Sequence, residues 1–194
     1  MTALSSITDM THWVEMFAPG APDNLVTDAI KRAVRRFCIM SETLTEEITV
    51  TTVADQAAYT LTPVTADVQV HRVSAVRYST SDDDEPKESY YYDMALGKLT
   101  FKTDYVPSAA SLSVIATCIL RPEWKAETFP TWMLERYGER IADGAAAEIC
   151  GLPSKDFGNP KLAEVLEAKF RDVVNEATAE RMREGTSRSW EIDA

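Results

Sequence analysis

The stretch "PTWMLERYGERIADGAAAEICGLPSKDFGNPKLAEVLEAKFRDVVNEA", residues 130–177, reads as two helices with a hard break between them. In its first half Leu134, Tyr137, Ile141, Ala145 and Ile149 recur every three or four residues, the spacing that puts them on one face of a helix. Pro130 suits the first turn, which predicts a helix over about 130–150. Within it "ADGAAAE" (142–148) offers mostly small side chains, so another helix backbone can approach closely. "GLPSKDFGNP" (151–160) then interrupts with two glycines and two prolines, and it ends on Asn159 as cap with Pro160 at the first helical position. The second helix, about 160–184, turns Leu162, Val165, Leu166, Phe170, Val173 and Ala177 inward and Glu164, Glu167, Arg171, Asp172 and Asn175 outward.

Working back toward the start, "DNLVTDAIKRAVRRFC" (23–38) predicts a third helix over about 24–41, opened by Pro22 with Asp23 as cap. Val26, Ile30, Ala33, Val34, Phe37 and Met40 fill one side of it. Lys31, Arg32, Arg35 and Arg36 fall on the other within an arc of about 140° at 100° per residue. Further upstream Leu4, Ile7, Trp13, Val14 and Phe17 are loosely helical in spacing before Pro19 and Gly20, which fits either a short helix or a docked arm.

Between the helices the vocabulary changes. "EITVTTV", "AYTL", "VQVHRVSAVRY", "SYYYD", "KLTFK" and "SLSVIATCIL" (all within 47–120) are rich in β-branched and aromatic residues and predict six short strands. "DMALG" (93–97) reads as a hairpin connection and "STSDDDEPKE" (79–88) as an exposed acidic loop. The expected class is α+β: a helical bundle from residues 1–45 and 121–184, a small antiparallel β domain inserted at 46–120, and an extended C-terminal tail at 185–194.

Composition narrows the function. The 194 residues carry a formal net charge of −11 with 45% hydrophobic and 26% charged residues, the profile of a folded chain and not of a general phosphate binder. Residues 23–38 alone carry +2, leaving −13 for the rest, so acidic partners for the basic arc are plentiful. No apolar run reaches the roughly 18 residues of a membrane span, and the expected setting is the cytoplasm. Cys38, Cys118 and Cys150 lie far apart in apolar segments, which predicts buried, reduced thiols.

Little points to catalysis or ligand chemistry. His12 and His71 have no ligand-spaced Cys, Asp or Glu beside them, and no phosphate-cradling glycine motif or nucleophile elbow is present. No cofactor or metal is expected. Glu135 with Glu139, and the Asp82–Glu85 run, are most simply solvated acids, since the acidic run lacks the calcium-loop spacing. The three tyrosines of "SYYYD" more often divide between a core face and an interface than stack on bases.

The order of these elements resembles the head-to-tail adaptor proteins of tailed bacteriophages, also called connector or head-completion proteins, over about residues 10–184. The likeness rests on Pro19, Gly20 and Pro22 before a helix that ends in Phe37, Cys38 and Ser41, a Val-rich strand at "VHRVSAVRY", and a strand ending in "LRP". It continues through the Pro-led helix with its small-residue run, the turn near Pro153, the Asn-Pro cap and Phe170. One departure is Leu44, near where such adaptors often carry Trp.

The resemblance implies a structural protein and no enzyme: a homo-oligomeric ring, commonly of about twelve subunits, beneath the portal protein of the head. The next tail component would bind below, packaged DNA would pass through without sequence-specific binding, and no membrane would be involved. It also implies residence in the virion neck after assembly in the host cytoplasm. Lys31, Arg32, Arg35 and Arg36, with Arg188, Trp190 and Ile192 in the tail, are the expected portal or subunit contacts. Two other readings compete: a monomeric hydrolase using Glu or Asp, and a neck or tail-completion component that never touches the portal.

Overall fold

The computed structural model describes residues 3–81, 83–153 and 155–190, with side chains in the last helix described as far as Arg183. The architecture is mixed α+β. In order come β1 (Leu4–Ser6), a 3-10 turn, α1 (Thr11–Glu15), α2 (Asp23–Ser41), β2 (Thr45–Thr51), β3 (Ala58–Thr60), β4 (Val68–Tyr78), β5 (Tyr90–Asp93) and β6 (Lys98–Phe101). There follow β7 (Ser113–Pro122), β8 (Thr128–Pro130), α3 (Thr131–Cys150) and α4 (Pro160–Trp190). Residues 44–121 make one compact unit, and residues 1–43 with those from 122 onward make another.

In the helical unit α2, α3 and α4 pack through their apolar stripes. Val26, Ala29, Ile30, Ala33, Val34 and Phe37 of α2 are buried, as are Met133, Tyr137, Ile141, Ala145 and Ile149 of α3 and Leu166, Phe170, Val173, Val174 and Ala177 of α4. The small-residue run of α3 does what its composition predicts. A Cβ at Gly144 would stand 2.4 Å from the Phe170 ring, so only glycine lets α4 lie this close. Phe37 packs on Tyr137 with ring centroids 5.1 Å apart, and Ser41, fully buried, donates its hydroxyl to the Phe37 carbonyl at 2.8 Å. The chain leaves α2 through Glu42 in the left-handed region, φ 54°, with its N–H on the Cys38 carbonyl.

At the N-terminus β1 pairs antiparallel with β8, Leu4 opposite Pro130 and Ser6 opposite Thr128. Ser6 then caps the 3-10 turn reciprocally with Asp9. Ile7, Met10, Val14 and Ala18 are buried behind this arm.

The β unit contains two three-stranded sheets, ordered β2-β7-β4 and β3-β6-β5. β2 runs antiparallel to β7, Ile48 opposite Ala116, and β6 is paired antiparallel by β3 on one side and β5 on the other. Val114, Ala116 and Cys118 alternate inward along β7, while Tyr59 meets Phe101 edge-on at 6.1 Å. The 93–97 connection forms by the expected turn chemistry. Asp93 Oδ1 accepts from the N–H groups of Ala95 and Leu96, and Gly97 takes φ 64°.

The structure corrects several expectations. Asp23 is the first helical residue and not the cap, a place held by Pro22 in extended conformation. Its carboxylate still stands in the first turn, where the helix dipole favours negative charge. Pro130 likewise precedes α3 instead of entering it. Val165 is 53% exposed and Val174 is buried, because a 3.6-residue period drifts around the helix over four turns.

The backbone of α4 continues to Trp190, where the sequence predicts an end near 184 and an extended segment from 185. Gly185 costs a helix about 1 kcal/mol, but each residue added to a helix already nucleated contributes a further hydrogen bond. β1 and β8 are strands that the sequence reading misses. Among the described residues no helix is long and apolar enough to cross a membrane.

Candidate interaction site

The basic arc of α2 is the natural place to look for a docking surface, and most of its charge meets partners in the same helical unit. Arg32 Nε lies 2.6 Å from Glu148 Oε1 of α3. Arg36 Nη2 lies 2.6 Å from Glu167 Oε2 of α4 and rests its guanidinium 4.2 Å from the centroid of Phe170. Arg35 donates to the Pro122 carbonyl and covers the Trp124 ring at 5.3 Å. These three arginines therefore clamp α2 to α3, to α4 and to the 122–124 segment. Lys31 makes no ion pair among the described residues.

Between Lys31, Arg32, Asp28 and Trp124 lies a cavity of about 80 Å³. Trp124 is 64% exposed beside it. Its ring is held in place by Arg35, which supplies an aromatic platform in a cationic rim at little entropic cost on binding. Trp124 is absent from the residues that the sequence singles out; the signal for it there is a tryptophan among charges in "RPEWKAE".

A second set of polar contacts fixes the far part of α4. Tyr137 donates to the Glu180 carboxylate, which also pairs with Arg136 at 3.0 Å, and Arg181 reaches Glu42 at 2.9 Å. Burial, followed by the Glu180 hydrogen bond, pushes the Tyr137 phenol up, so it stays a donor at neutral pH. Asp143 is a nearly buried acid, 3.9 Å from Arg140. Burial raises its pKa, opposed by Lys169 and Arg140.

In the β unit the three tyrosines divide as their alternation suggests. Tyr90 is buried, Tyr91 is 53% exposed, and Tyr92 bonds the Val70 carbonyl at 3.4 Å. A groove between β4 and β5 is lined by residues 72–74, Lys87 and these tyrosines. The 79–88 loop is largely exposed at Asp83, Asp84 and Glu88.

Of the other residues singled out in the sequence, Arg188 and Trp190 fall in the last turns of α4, where side chains lie outside the described part, and Ile192 lies outside the described residues. The cysteines are free and buried. Burial pushes the Cys38 and Cys118 thiols up to about 12. Among the described residues no group of three or more His, Cys, Asp or Glu could hold a metal ion.

The arrangement thus offers surfaces and clamps: a helical unit tied by charged edges, a pre-set aromatic in a cationic rim, and a β unit with exposed edge strands and an acidic loop. No curated protein matches the chain. The family described as SU10 adaptor protein matches residues 1–191, nearly the full length and both units. The chain therefore belongs to the SU10 adaptor protein family, a family of structural head-to-tail adaptors of bacteriophage virions.

Proposed function

We propose that this adaptor forms a ring of identical subunits, about twelve in number, that joins the portal of the head to the tail and helps to close the neck over the packaged genome. The observation that carries the reading is the family match across residues 1–191, since it covers the helices, the β insertion and the length of α4 together. In this reading residues 1–45 and 121–184 act as a helical bundle that gives each subunit a rigid wedge. The inserted β domain, 46–120, supplies edge strands for neighbouring copies and for the next tail component. The acidic remainder of the surface suits a channel wall past which DNA slides without sequence-specific contact. Assembly would occur in the host cytoplasm.

Portal contact falls to the C-terminal segment, 185–194, with Arg188, Trp190 and Ile192 as its anchors. An aromatic among polar residues is a common hot spot. The bases of α2 take a divided role. Arg32, Arg35 and Arg36 set the helix positions, while Lys31 remains for a partner.

Deleting residues 186–194 tests the portal contact. The shortened chain keeps the whole buried stripe that α4 shows among the described residues, which runs to Ala177, so it is expected to stay folded, and its retention on purified portal falls by about tenfold. Retention equal to the full chain would reject the anchor.

A further inference from the structure

We propose that the cationic cavity at Trp124 is a socket for the acidic 79–88 loop of a neighbouring copy of this chain. The inference rests on the ring reading above and says which two surfaces of successive subunits meet.

The socket is built before any partner arrives. Arg35 is tied to the Pro122 carbonyl and stacks on Trp124, so a largely exposed indole keeps one orientation. Lys31 and Arg32 flank it, and Asp28 is the one acid among the four lining residues. Arg32 is committed to Glu148. Lys31 is not committed among the described residues, so its ammonium is available to an incoming carboxylate. A volume of about 80 Å³ accommodates the tip of an acidic side chain and is too small for a nucleotide or cofactor.

The occupant follows from charge and from symmetry. Asp83 and Asp84 are exposed and make no ion pair among the described residues. They stand in a loop whose sequence, "STSDDDEPKE", is the densest run of acid in the chain. Socket and loop are different patches on different units of one polypeptide. A contact between unlike patches is heterologous, the kind that builds a ring when its rotation closes, whereas a self-complementary patch stops at a dimer. Charge pairing at an exposed rim also fixes register more than it adds affinity, which is what a closed ring needs.

Charge reversal in the full-length chain, read as copies per particle by quantitative mass spectrometry of purified virions, tests the proposal. Lys31→Glu lowers incorporation about tenfold, and so does Asp83→Lys with Asp84→Lys. The chain carrying all three recovers most of the loss. Trp124→Ala lowers incorporation and is not recovered by the loop changes. Each purified charge-reversal variant melts with the wild type, and Trp124→Ala, which gives up the Arg35 ring contact, melts a few degrees lower but stays cooperatively folded, so a loss of copies is not a loss of fold.

Carbodiimide treatment of wild-type particles, in addition, yields a product of twice the chain mass that joins the Lys31 peptide to the Asp83–Asp84 peptide. The proposal is overturned if the single-patch variants incorporate like wild type, if the combination does no better than either patch alone, or if that product is missing. A Lys31→Glu loss that the loop reversal leaves unrepaired would assign the carboxylate to a different protein, such as the portal. Wild-type particles holding the chain in something other than a ring would contradict the ring reading itself, independently of the variants.

Discussion

Helices α3 and α4 meet in two different ways along one seam. At the centre Gly144 lies against the Phe170 ring so closely that a Cβ would overlap it, a contact of carbon on carbon. At the edge Glu148 and Glu167, one on each helix, hold Arg32 and Arg36 of α2 in partly exposed ion pairs. The centre sets how near the helices come, because close-packed atoms cannot give way. The edge pins α2, whose place is set mainly by its own buried stripe, through contacts individually worth at most about 1 kcal/mol when water reaches both partners. Arg36 belongs to both regimes, since it pairs with Glu167 while lying over the same phenylalanine that fills the glycine notch.

The largest break in this comparison should come from Gly144→Leu, which drives a side chain into Phe170. It is expected to cost at least about 3 kcal/mol and to leave the chain largely insoluble or molten, as read by calorimetry and near-ultraviolet dichroism. A variant that melts with wild type would mean that the notch is not tight.

The dry interior can also be probed by titration. Cys38, buried against Met133, has its thiol raised from an ordinary 9.0 to about 12, so folded chain keeps the proton that unfolded chain gives up. The stabilising difference is whole below pH 9 and is lost as pH rises toward 12, at about 1.4 kcal/mol per pH unit at the steepest. Denaturant midpoints between pH 8 and 10.5 should fall more steeply for wild type than for Cys38→Ala; parallel curves would place the thiol in contact with water.

The smallest effects separate the two arginines. Arg36→Ala loses an ion pair and a ring contact, about 1 kcal/mol together. Arg32→Ala loses only an exposed pair, about 0.5 kcal/mol or less, which added salt abolishes. Equal losses would mean that stacking on Phe170 adds nothing.

Much of this seam is legible in the sequence. The run 142–148 announced a close helical neighbour because small residues in that number have few other uses, and Asn159-Pro160 announced the start of α4, where Asn159 Oδ1 accepts from the Leu162 N–H at 3.2 Å. All six strands of the β unit were readable from alternation and composition. β1 and β8 were not, because three residues are too few to alternate and their pairing joins segments 126 positions apart. The site was less readable than the fold. A helical wheel shows that Lys31, Arg32, Arg35 and Arg36 share a side, but it cannot show that Glu148 and Glu167 from two later helices stand within reach. For Glu167 that distance depends on the Gly144 notch, which sets how near α4 comes, a tertiary fact. Trp124 is illegible for a similar reason: outside any periodic element, only its neighbours in space give it a role.

Cryo-electron microscopy of the virion neck tests the central claim most directly. The account predicts a closed ring of identical copies of this chain between portal and tail, each placing its Lys31–Trp124 face against the 79–88 loop of the next. Density for that layer built from another protein, or this chain present as scattered single copies, would contradict it.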